Sequence, residues 1–236
     1  MLIGPQNLPD AVGRVRERIA AAAAQCGRSV ESVTLLAVSK SQPVEAIEAA
    51  ARAGLEHFGE SYVQEAAPKI EALRSRGLTW HFIGHVQANK TRAIAASFAW
   101  VHAVDRQRIA DRLAAQRPCH APPLNVCVQV NVANEAAKGG VAPDALPALL
   151  AHVAALPRLR LRGLMCILPE EADPVRQRHW FAQLRGLFER ANAGGAQLDT
   201  LSMGMSADLE AAVCEGATIV RVGTALFGPR PRTGPA

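Results

Sequence analysis

Apolar residues recur along this chain with two alternating periods. An opening stretch, 8–26, places Val12, Val15, Ile19, Ala22 and Cys26 at helical spacing. Short β-rich runs then follow at 33–39, 57–60, 80–83, 100–104, 125–132, 161–166, 200–202 and 219–222. The stretches between them carry helical patterning with recognisable ends. Pro43 lies near a first turn and Gly54 follows a last one, while Asp173-Pro174 opens a helix that Gly194-Gly195 closes. Eight βα units in 236 residues predict an α/β protein, a single (β/α)8 barrel spanning 1–236. An extra N-terminal helix falls within 1–30, and a flexible tail is expected at 229–236. A doubly wound sheet is the alternative, but no G-x-G-x-x-G follows the first strand, so the common dinucleotide fingerprint is missing.

In a barrel, the strand ends and the loops after them form the working face. Those positions hold Lys40, Glu60-Ser61, Gly84-His85, Asp105, Asn131, Ser202-Met203-Gly204-Met205-Ser206 and Arg221-Val222-Gly223-Thr224. Strand five sharpens the assignment. Val126, Val128, Val130 and Val132 share the helix-facing side, which leaves Cys127, Gln129 and Asn131 toward the interior.

Lys40 ends a run of strong β-formers and projects into the barrel mouth. A lysine partly desolvated there, near other cations, has a lowered pKa and more of the neutral amine that attacks a carbonyl. The bland alternative is a lysine that snorkels out of the barrel top. Gly204, Met205 and Ser206 precede a helix start, and Gly223-Thr224 form a second small-residue turn after the last strand. Loops after strands seven and eight are the usual place for a bound phosphate in this fold, although Ser206 could serve only as an N-cap. Arg221, among apolar strand neighbours, could pair a phosphate, a carboxylate or a ring nitrogen.

Composition narrows the partners. The chain carries a net charge of +5, with 22 arginines but only four lysines, Lys40, Lys69, Lys90 and Lys138. The arginines are dispersed, and one tyrosine offers little base stacking, so nucleic acid is not expected. No long apolar run suggests a membrane span, and no secretory signal is visible. Five scattered cysteines without C-x-x-C argue against a zinc ribbon, a redox motif or a disulfide scaffold, and fit a reducing cytoplasm. Nothing in the patterning demands assembly, so a monomer is expected.

Several motifs are decoys. The segment from Gly84 to Thr91 resembles a P-loop but has Asn89 where the second glycine belongs. Gly204-Met-Ser-Ala-Asp208 lacks the second glycine of a nucleophile elbow. His81 and His85 straddle a strand end rather than sharing a helix face, so no metal site is expected, and His57 and His102 read as hydrogen-bonded structural residues.

A strand-end lysine opposite a phosphate pocket and an arginine suits pyridoxal 5′-phosphate (PLP), with a Schiff-base aldolase acting on a phosphosugar as a close alternative. The segments Leu36-Ala-Val-Ser-Lys40, Phe58-Gly-Glu-Ser-Tyr-Val-Gln-Glu65, Trp80-His-Phe-Ile-Gly84, Gln87-Ala-Asn-Lys90, Leu201-Ser-Met-Gly-Met-Ser206 and Val220-Arg-Val-Gly-Thr-Ala-Leu-Phe-Gly228 together resemble the pyridoxal phosphate homeostasis protein family, described as PLP-binding proteins. The resemblance implies a barrel like the N-terminal domain of alanine racemase, with PLP held as an aldimine by Lys40. It also implies Ser206, Gly223 and Thr224 around the phosphate and Arg221 beside the ring nitrogen. The family usually reads F-G-E-N-Y, where this chain has Ser61 in place of the Asn.

The expected role is intracellular PLP homeostasis without catalysis, with release to PLP-dependent apo-enzymes. An amino-acid racemase is the alternative. Racemisation by two bases needs an acid/base group on each face of the substrate carbon, and the sole tyrosine here is Tyr62. The eight residues after Gly228 are also expected to leave no room for the second domain such a racemase uses. Lys90 and Lys138 are the competitors of Lys40 for the aldehyde.

Overall fold

Eight parallel strands close on themselves in chain order, with the eighth paired to the first. They are β1 (Thr34–Val38), β2 (His57–Glu60), β3 (Thr79–Phe82), β4 (Trp100–Val104), β5 (Leu124–Gln129), β6 (Leu159–Met165), β7 (Thr200–Ser202) and β8 (Ile219–Val222). This computed structural model describes residues 8–133, 139–169, 171 and 173–229. Lys138 and most of the tail expected at 229–236 therefore lie outside the described residues. The closed parallel sheet with helices between its strands is the barrel that the spacing predicts.

The helices are α1 (Leu8–Gln25), α2 (Val44–Arg52), α3 (Val63–Ala72), α4 (Thr91–Ser97), α5 (Gln107–Gln116), α6 (Leu146–Ala155), α7 (Pro174–Ala193), α8 (Leu209–Cys214) and α9 (Thr224–Phe227). Asp173 caps α7 by accepting from the Val175 N–H, with Pro174 at its first position. β5 stops at Gln129, three residues short of its β-rich run. There the chain pairs with its own loop instead, through a bridge between Val130 and Val141. No helix among the described residues is long and apolar enough to cross a membrane.

The apolar core lies mainly between the strands and the outer helices. Phe58, Trp80, Phe82 and Phe98 are buried there, with the rings of Phe82 and Phe98 edge to face at 5.3 Å. The barrel interior is more polar. His57, His81 and His102, on the adjacent strands β2, β3 and β4, hydrogen-bond side chain to side chain at 3.0 and 2.9 Å. Such contacts require that all three face inward.

The stripe of α1, including Val12, Val15 and Ile19, is buried and packs on α8 and α9. Arg18 pairs with Glu210 at 2.6 Å and donates to the Ser206 carbonyl at 3.0 Å. Arg28 donates to the carbonyls of Val213 and Ala217. Cys26 and Cys214 form a disulfide between the end of α1 and the end of α8. A single bridge between residues 188 apart leaves no spacing pattern to read. Cys127 and Cys166 are free and buried, and burial pushes both thiols up to about 12.

Candidate functional site

At the C-terminal end of the strands lies a cavity of about 350 Å³. Lys40, Met205, Ser206, Arg221, Gly223 and Thr224 line it, from the ends of β1, β7 and β8. Ser61, which its strand-end position placed on the working face, joins them, as do Gln42, Ile83 and Ile167. A second cavity of about 360 Å³ adjoins it across Lys40, Ser61, Ile83 and Ile167, and reaches Tyr62, His85 and Lys90. Larger hollows of about 570 and 690 Å³ lie elsewhere, against α1 and between α6 and α7. Chemistry rather than size singles out the mouth, because the strand-end lysine and the arginine both line it.

Lys40 is held through its neighbours. The Ser39 N–H donates to the Gly59 carbonyl at 2.9 Å, and the Ser39 hydroxyl donates to Glu60 Oε1 at 2.7 Å. Lys69, only 5 % exposed, donates through Nζ to the Ser39 carbonyl, to Glu60 Oε1 at 2.8 Å and to Glu65 Oε1 at 2.6 Å. Ser41 adopts a left-handed backbone (φ 62°) and its N–H donates to the same Glu65 oxygen. A non-glycine residue in that conformation needs such an anchor. Burial pushes the Glu60 carboxyl up, against the opposing pull of Lys69 and Ser39. Glu60, assigned by its strand-end position to the mouth, instead turns beneath it. The pairing with Lys69 has no sequence signature, since it depends on the last turn of α3 packing against β2.

The opposite wall is built from small residues and backbone. Gly204 has φ 90°, and a Cβ there would meet the Ala212 Cβ at 2.4 Å, so only glycine fits. Its carbonyl accepts from the Arg221 N–H at 2.9 Å. Asp208 accepts from the Met205 N–H and closes the turn. Ser206 Oγ accepts from the Ala225 N–H at 3.3 Å, which links the turn after β7 to the first turn of α9. Ser206, Gly223 and Thr224, from the two turns, thus line the same cavity.

Arg221 lies between the two walls and is 5 % exposed. Its Nη1 donates to the Ser202 carbonyl at 2.6 Å and hydroxyl at 2.8 Å, and its Nη2 donates to the Cys166 carbonyl at 2.7 Å. Burial pushes the guanidinium down from its ordinary value, and Cys166 and Asp208 act the other way. Arginine remains a cation under such shifts. Two expected site residues stand apart from this cavity: Gly204 shapes the turn without lining it, and Asn131, after β5, is not among its lining residues. Among the described residues no group of three or more His, Cys, Asp or Glu could hold a metal ion.

The fold is thus a closed (β/α)8 barrel whose mouth sets a strand-end lysine against small-residue turns after β7 and β8. The family described as alanine racemase, N-terminal domain, matches residues 12–231. The chain is 55 % identical over 230 residues to the pyridoxal phosphate homeostasis protein of Pseudomonas aeruginosa, covering 98 % of this chain and 99 % of the relative. The protein of the same name from Escherichia coli is 50 % identical over 222 residues, covering 93 % and 95 %. PipY of Synechococcus elongatus, solved with PLP bound, superposes with a TM-score of 0.79 at 39 % identity, covering 91 % of this chain and all of PipY. The chain therefore belongs to the alanine racemase N-terminal domain family and, within it, to the pyridoxal phosphate homeostasis proteins.

Proposed function

We propose that this protein binds pyridoxal 5′-phosphate and serves its homeostasis, holding the cofactor as an aldimine with Lys40 and releasing it to PLP-dependent apo-enzymes. The observation that carries the reading is one cavity lined by the strand-end Lys40, by Ser206, Gly223 and Thr224 of the turns after β7 and β8, and by Arg221. The fit is chemical. The cofactor supplies an aldehyde for an amine, a phosphate for Ser206, Gly223 and Thr224, and a ring nitrogen for a fixed N–H donor. Three contacts use three of the five N–H donors of Arg221, so its Nε–H and one Nη2–H are left for a group in the mouth.

A guanidinium does not readily give up its proton, so it holds a ring nitrogen without protonating it. That favours retention of the cofactor over carbanion chemistry. Among the described residues lining this cavity, Lys40 is the one side chain suited to exchange a proton with a substrate carbon. Two-base racemisation needs another. The relatives' names, which describe homeostasis rather than an enzyme, support the same reading. We further propose that the protein works as a monomer in the cytoplasm.

Two measurements test this. Titration of the apo-protein with PLP is expected to give a Schiff-base absorbance band that Lys40→Ala abolishes. The loaded protein is expected to reactivate a PLP-dependent apo-enzyme without racemising amino acids. Racemase turnover lost in Lys40→Ala would replace the homeostasis reading with the enzymatic one.

A further inference from the structure

Behind Arg221 runs an unbroken line of hydrogen bonds that the binding reading does not use. Ser202 Oγ lies 2.7 Å from His102 Nδ1, His102 Nε2 lies 2.9 Å from His81 Nδ1, and His81 Nε2 lies 3.0 Å from His57 Nδ1. His57 is the first residue of β2 and Ser202 the last of β7, so the line climbs the barrel interior from one end to the other. His81 stacks on Trp100 at 5.4 Å between centroids, and the Arg162 guanidinium lies over the far partner of that stack, 4.7 Å from the Trp100 ring. These contacts fix the column sideways.

We propose that His102, backed by His81 and His57, is the positioning group that holds Arg221, through Ser202, with its remaining N–H donors facing the ring nitrogen of bound PLP. The inference rests on the PLP reading for its target, while the column itself rests on geometry. Arginine only donates, so Ser202 Oγ accepts from Arg221 and gives its own hydrogen to His102 Nδ1. His102 is then neutral with its hydrogen on Nε2, which it donates to His81 Nδ1. His81 in turn carries its hydrogen on Nε2 and donates to His57 Nδ1. The reverse direction would make Ser202 Oγ accept twice and leave its hydrogen without an acceptor among the described residues.

The guanidinium therefore sets the tautomer of every ring in the column. A carboxylate in the place of His102 would also orient Arg221, but it would neutralise the charge presented to the ring. A neutral column orients the arginine and leaves that charge intact. Burial and the nearby Arg221 hold His102 neutral, pushing it down to about 3.

The test uses the whole chain labelled with ¹⁵N-histidine. In the wild-type apo-protein at pH 7, His102 and His81 are expected to show the neutral Nε2–H form. Ser202→Ala is expected to abolish the single tautomer at His102, to weaken PLP binding about tenfold and to shift the absorbance band of the bound cofactor. A wild-type His102 carrying its hydrogen on Nδ1 overturns the column. Unchanged affinity and spectrum in Ser202→Ala overturn its role on Arg221 while leaving the binding reading intact. Failure of wild-type protein to bind PLP overturns the reading, and with it the target of Arg221, whatever the tautomers show.

Discussion

Beneath Lys40 lies a cluster of full charges; beneath Arg221 lies a column of neutral rings. Lys69 lies 2.8 Å from Glu60 and 2.6 Å from Glu65, and the group clamps the backbone on both sides of Lys40. The histidines instead pass one hydrogen-bond direction from ring to ring up to Ser202 and the guanidinium. The difference follows from what each side must present. An amine that reacts with an aldehyde needs a fixed backbone, and charge buried below it can be balanced locally. A guanidinium that faces a ring nitrogen needs orientation without a counter-charge, which neutral imidazoles provide.

The contrast is broken most severely by removing one charge. Lys69→Ala leaves Glu60, fully buried, without its cation, and should cost about 3–5 kcal/mol in urea unfolding. Replacing Glu60 and Lys69 together by Gln and Met should cost much less, because no lone charge stays buried. Equal losses in the single and double variants would show that the cluster is not the clamp described. The Arg221 side also leans on α1 from outside. Cys26→Ser, which opens the disulfide to α8, should lower stability by about 2–4 kcal/mol, read against the oxidised wild type.

Acid separates the two systems by sign. His102 titrates at about 3 in the folded chain against an ordinary 6.5. Between those values the unfolded chain binds more protons, so the stability present above about 6.5 is lost as the pH falls toward 3. From pH 7 to pH 5 that loss is about 2 kcal/mol for His102 alone, from its full burial. His81 and His57, also pushed down by burial, add to it in the same direction. Glu60, pushed up by burial, works oppositely: its contribution is present at low pH and lost as the pH rises through its folded value. Urea midpoints at the two pH values should therefore fall with acid in the wild type and fall less in His102→Gln. An equal slope in that variant would assign the acid sensitivity elsewhere.

Periodicity made most of the barrel legible before any coordinates. The runs at 57–60, 100–104, 200–202 and 219–222 match β2, β4, β7 and β8 residue for residue, because short β-branched and apolar runs between helical stretches have few other uses in an α/β chain. Lys40 and Arg221 were legible because polar residues at strand ends stand out against apolar neighbours. The supporting shell was not. Lys69 looks like any helical lysine until α3 packs under β2, and the histidines acquire direction only when β4 faces β7 across the closed barrel. The Cys26–Cys214 bridge was invisible for the same reason, since nothing local joins residues so far apart.

The central claim is that one lysine holds the cofactor. Borohydride reduction of the PLP-loaded protein, followed by peptide mapping, tests it most directly. The label is expected on Lys40 alone at stoichiometric PLP. Label on Lys90, Lys138 or Lys69 with Lys40 unmodified would contradict it.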